Sequence, residues 1–128
     1  MLGIEDLVEG ITQATEEGRL SWAHVQNPTP LLFAAGGKGG ALEDSFAAEL
    51  PKHRVLVGEF PHDDVRGVRV ILQDRSGRTL DGADANEFSV RYPAMYRLFE
   101  TARRSAYNVP DVIEEVEAEL AGLTMRSR

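Results

Sequence analysis

HRVLVGEFPHDDVRGVRVILQDRSGRTLDG, residues 53–82, decides the fold. In HRVLVGEF, Val55 and Val57 point to one side of an extended chain and Leu56 and Phe60 to the other. PHDDVRG then breaks the pattern with a polar turn. VRVILQD resumes it, with Val68, Val70 and Leu72 predicted inward, Arg69 and Gln73 outward, and Ile71 the exception. DRSGR follows as a hairpin loop, because Gly77 can take the left-handed conformation that such a loop needs. RTLDG returns. Three strands joined by short polar turns make an antiparallel meander.

Upstream, Ile4, Leu7, Val8, Ile11, Ala14 and Thr15 recur at helical spacing, so a helix is predicted from about Ile4 to Glu17. Glu5 and Asp6 suit its positive end, and Gly18 its stop. RLSWAHV, residues 19–25, reads as a short strand with Leu20, Trp22 and His24 on one face. ALEDSFAAEL has helical propensity, but Pro51 closes it after little more than two turns. The preferred reading is an edge strand over 45–50 paired with 53–60. Between these strands NPTP and GGKGG predict a flexible insertion at about 27–44.

Downstream, Pro93 opens a helix whose apolar stripe is Met95, Leu98, Phe99, Ala102 and Ala106. Asn108, Pro110 and Asp111 open another, with Val112, Ile113, Val116 and Leu120 predicted to face inward and Gly122 to end it. The fold class expected is α+β. It comprises an N-terminal helix, an antiparallel meander of four or five strands, and two C-terminal helices packed on one sheet face, in a single domain.

Composition narrows function. The net charge of −7 argues against a nucleic-acid partner, since phosphate affinity comes from clustered Lys and Arg. The chain has no cysteine, which removes disulfides, thiolate metal sites and cysteine nucleophiles together. Glu5, Asp6 and Glu9 stand where a secretory leader would be basic, and no apolar run approaches membrane-spanning length, so a cytoplasmic protein without a membrane partner is expected. Twelve of the fourteen basic residues are arginine, the usage of a GC-rich bacterial coding sequence.

The glycine-rich GGKGG tempts a phosphate-loop reading, which the spacing refuses. With Lys38 as the lysine, the first glycine would fall on Leu32 and the hydroxyl residue on Gly39. His62, Asp63 and Asp64 have metal-ligand chemistry, but three adjacent turn residues do not converge on one ion. DGADANE, residues 81–87, lacks the calcium-loop order and reads as a polar connection. No G-x-S-x-G elbow occurs. No catalytic residue, metal site or cofactor is therefore assigned.

The segment RYPAMYRLFETARRSAYN, residues 91–108, concentrates the residue types found at binding hot spots. Tyr92, Tyr96, Arg97, Arg103 and Arg104 are the candidate partner-binding residues, with another protein as the expected partner and a second copy of the chain as the alternative. Trp22 and His24 mark the alternative, a small-molecule pocket between sheet and helices in an enzyme or binding protein.

ITQATEEGRLSW, ILQDRSGRTLDG and YRLFETARRSAYNVPDVIEEVEAEL, in that order, resemble a loose group of small bacterial α+β proteins. In that group a helix runs through Gly into a Trp-bearing strand, and an A-R-R-x-A helix precedes an Asn-capped one. The resemblance spans the chain except about 27–44. It implies the fold and no activity, because the group carries no assigned function.

Overall fold

The computed structural model describes residues 2–25, 44–62 and 65–126. The predicted insertion, including GGKGG, lies almost wholly outside the described residues, as do Asp63 and Asp64 of the polar turn.

A 3-10 turn at Ile4–Leu7 leads into helix α1, Val8–Glu16. Gly18 takes φ 77°, a conformation that a side chain would strain, and so turns the chain out of the helix. Five strands follow: β1 (Trp22–His24), β2 (Asp44–Glu49), β3 (His53–His62), β4 (Val65–Asp74) and β5 (Thr79–Asn86). They form one antiparallel sheet in the order β1-β2-β3-β4-β5. Helices α2 (Tyr92–Ala106) and α3 (Val109–Arg126) complete the α+β architecture expected from the sequence. The strand reading of residues 45–50 agrees with β2 to within one residue.

Register sorts the side chains. Trp22, Ala48, Val55 and Leu72 lie in one row across the sheet, and Phe46, Val57, Val70 and Ala83 in the next on that same face. Against them pack Ile4 and Val8 from the N-terminal segment and Met95, Leu98, Phe99 and Ala102 from α2. Trp22 ties three elements together. Its indole N–H donates to Thr15 Oγ1 at 2.9 Å, its backbone N–H donates to Ser105 Oγ at 3.2 Å, and the Thr15 hydroxyl donates to the Ile11 carbonyl. A buried indole N–H needs such a partner.

The other face departs from the expectation. Arg69 and Gln73, predicted outward, are both buried at 2% exposure. Arg69 donates through Nε and Nη2 to the two carboxylate oxygens of Asp84 at 2.7 and 3.1 Å, a bidentate pair between β4 and β5. Ile71, the exception in the alternation, meets Leu56, Val25 and Ala47 in a second apolar cluster on this face. Residues 81–86, read as a polar connection, extend β5, because pairing with β4 continues as far as Gly67↔Asn86.

Two turns meet at one end of the sheet. Asp74 Oδ1 accepts from the backbone N–H of Ser76 and of Arg78 and from the Ser76 hydroxyl, while Gly77 takes φ 90°. Those donors hold the Asp74 carboxyl at about 2, below its ordinary 3.8, with the Ser76 hydroxyl the largest cause. Arg75 reaches across to donate to the carbonyls of Leu50 and Pro51 in the β2–β3 turn.

Phe46 is fully buried at the centre of the core, with ring centroids 5.7 Å from Phe99 and 5.6 Å from Tyr107. Phe46→Ala should therefore cost about 3–5 kcal/mol. Urea unfolding checks this as a fall in midpoint with unchanged slope.

Candidate interaction surface

Helix α2 begins with Pro93 in its first turn and ends with Arg103 and Arg104, whose charge suits the carbonyl end. Its central stripe is committed to the core, so the functional question concerns its two flanks. Residues 92, 96, 103 and 107 fall on one flank and 97 and 104 nearer the other, because each step turns the helix by about 100°. The five candidates do not converge.

On the first flank, the Tyr92 and Tyr96 rings lie 5.5 Å apart and Tyr96 is 6.2 Å from Phe99. Through Phe99 and Phe46 the aromatic row continues to Tyr107 and to His24, which meets Phe46 edge-on at 5.9 Å. His24 is exposed on the edge strand, so the row runs from the sheet edge to the start of α2. Arg103 donates to Glu100 at 2.9 Å. The tyrosine hydroxyls ionise above the ordinary 10. Burial is the main cause for both, followed by Glu59 for Tyr92 and by Glu100, which accepts from the hydroxyl, for Tyr96.

On the second flank, Arg97 donates to Glu16 of α1 at 2.6 Å, between exposed side chains. This pair braces two helices and adds little energy, as exposed ion pairs generally do. Arg104 lines a cavity of about 600 Å³ at the junction of α1 with α2 and α3, together with Thr15, Ser21, Ser105, Asn108 and Asp111. Trp22, named with His24 for the alternative pocket, is buried behind this cavity through Thr15 and Ser105. His24 stands apart from it beside Phe46. Among the described residues, no group of three His, Asp or Glu side chains is placed to hold a metal ion.

Helix α3 overturns the inward reading of its stripe. Asn108 takes φ 52°, a left-handed conformation that asparagine tolerates better than most residues, and redirects the chain. Beyond it Val112, Ile113 and Val116 are 44–46% exposed and Leu120 and Leu123 57%. These five side chains and Val109 occupy about 100° of one helix face, and the helix packs chiefly against α2. Glu117 borders the stripe on one side and Glu119 on the other, with Asp111, Glu114 and Glu115 behind. Exposed aliphatic side chains in single positions are ordinary, whereas here five lie together in one stripe. Sequence periodicity located this stripe, apart from Val109 and Leu123, but assigned it to the core.

No family model matches the chain, and neither the curated proteins nor the solved structures give a match. Among the described residues no helix is long and apolar enough to cross a membrane.

The aromatic flank can be checked by titration. Tyr96 should ionise above 10, and Glu100→Gln should lower that value, since the carboxylate both repels the phenolate and accepts from the neutral hydroxyl. Ultraviolet difference titration of the variant against the parent chain reads the shift.

Proposed function

We propose that the chain is a non-enzymatic interaction domain, an accessory protein of the regulatory or immunity type, that binds another protein. The single observation carrying this reading is the exposed apolar stripe of α3. A preformed amphipathic helix set in an apolar groove is a recurrent mode of protein recognition, anchored at i, i+3, i+4 and i+7. Tyr92, Tyr96 and Arg103 on one flank of α2, and Arg97 and Arg104 towards the other, supply further contacts in this reading.

A Val116→Asp chain should keep its fold, because Val116 is half-exposed and outside the core cluster. The tagged protein should retain one stoichiometric partner from its native cells, identified by mass spectrometry, and the variant should lose it at least tenfold. A partner kept in full by a variant with unchanged circular dichroism would sink α3 as the binding face.

The cavity beside α1 supports a second reading, a small-molecule binder. Its volume suits a small ligand, and the Thr15 and Ser105 hydroxyls, the Arg104 guanidinium and the Asp111 carboxylate surround it. Because Thr15 and Ser105 also hold Trp22, occupancy should change the fluorescence of the only tryptophan. A metabolite panel that leaves that emission unmoved counts against a ligand here.

A further inference from the structure

From the charge pattern around the α3 stripe we infer the chemistry of its partner: a cationic amphipathic helix of another protein, with Lys or Arg on both sides of its apolar seam. This rests on the reading of α3 as the binding face.

The stripe has the spacing of a helix–helix seam. Val109, Ile113, Val116, Leu120 and Leu123 follow one another at intervals of four, three, four and three residues, the a and d positions of a heptad. In that frame Glu117 stands at an e position and Glu119 at a g position, the two that border the seam and set partner choice. The whole of α3 carries five acids against Arg126.

A second copy fits this surface poorly. Its one basic residue at a flanking position is Arg126, at the last residue of α3, against two acids at Glu117 and Glu119, and an antiparallel pair centred on Glu117 or Glu119 sets like charges together. Its apolar area is also small. Five half-exposed aliphatic side chains offer a few hundred Å² at most, below the roughly 800 Å² per partner of a standard stable interface. An anionic lipid surface meets the same repulsion. A cationic helix meets the opposite situation: its apolar positions cover the stripe while its flanking charges pair with Glu117 and Glu119. Charge pairs at such a rim raise specificity and association rate more than affinity.

The experiment uses the full chain and two labelled synthetic peptides of three heptads, both with Leu at a and d. One carries Lys at e and g, the other Glu. Fluorescence anisotropy should show the Lys peptide binding at least tenfold more tightly than the Glu peptide, with the ratio falling severalfold between 50 mM and 500 mM salt, roughly as exposed pairs are screened. Glu117→Lys/Glu119→Lys should reverse the preference, and Val116→Asp should abolish binding of both. Equal binding of the two peptides, lost in Val116→Asp, would overturn the charge rule and leave α3 as an interaction face. A dimer in sedimentation equilibrium that Val116→Asp dissolves would overturn the inference in favour of a second copy, again leaving α3 an interface. If Val116→Asp alters neither peptide binding nor oligomeric state, both the inference and the reading it rests on fall.

Discussion

The pairing of β3 with β4 is the constraint on which the rest of the molecule depends. It runs without interruption from His53↔Asp74 to His62↔Val65 and places Val55, Val57, Val68, Val70 and Leu72 on one face. The period of a strand is two, so a slip of one residue in β4 would exchange its faces. Arg69 would then lie beneath α2, a guanidinium among Phe46, Leu98 and Phe99, and Asp84 would lose its partner. Moving the buried guanidinium away from that partly exposed carboxylate and into an apolar layer is unfavourable. The correct register is thus enforced twice, by the apolar face that α2 covers and by the bidentate contact on the other. Arg75 adds a clamp, since it binds the carbonyls of the neighbouring β2–β3 turn only when the ends of β3 and β4 are level.

What could be read in advance follows from this. Alternation in β3 and β4 is a local signal, and Gly77, three residues after Asp74, makes the hairpin legible. The choice of strand over helix for β2 is settled by non-local facts, the pairing of Phe46 with Val57 and the burial of both. The Arg69–Asp84 pair escaped because alternation marks a residue as facing away from one core without revealing its partner fifteen positions later. The extension of β5 through Ala83, Asp84, Ala85 and Asn86 escaped for a related reason. Those residues have poor strand propensity, and they are extended because β4 offers them an open row of hydrogen-bonding groups.

The candidate residues divide along the same line. Sequence proximity grouped Tyr96 with Arg97, yet adjacent helical residues point about 100° apart. One joins an aromatic row over the sheet and the other braces α1. Trp22 looked like a pocket residue because lone tryptophans invite that reading. Its indole instead satisfies Thr15 inside the core, and the cavity lies on the far side of that hydrogen bond.

Helix α3 shows where periodicity stops being informative. A stripe at helical spacing states that one face is apolar; it does not name what covers that face. In α1 and α2 the covering surface belongs to the same sheet and core, whereas in α3 the stripe stays half in water. The molecule can tolerate this for two reasons. The stripe is narrow and lacks aromatic rings, and the acids around it oppose the association of like chains. Its 18 residues also exceed the length at which isolated helices are marginal, and the turn at Asn108 starts it from the packed end of α2. The cost of ordering the helix is therefore met in folding and not again at binding, so an incoming surface gains nearly all of the apolar contact it makes. On the proposed reading, preformed shape would give this face its affinity, and Glu117 and Glu119 its preference among partners.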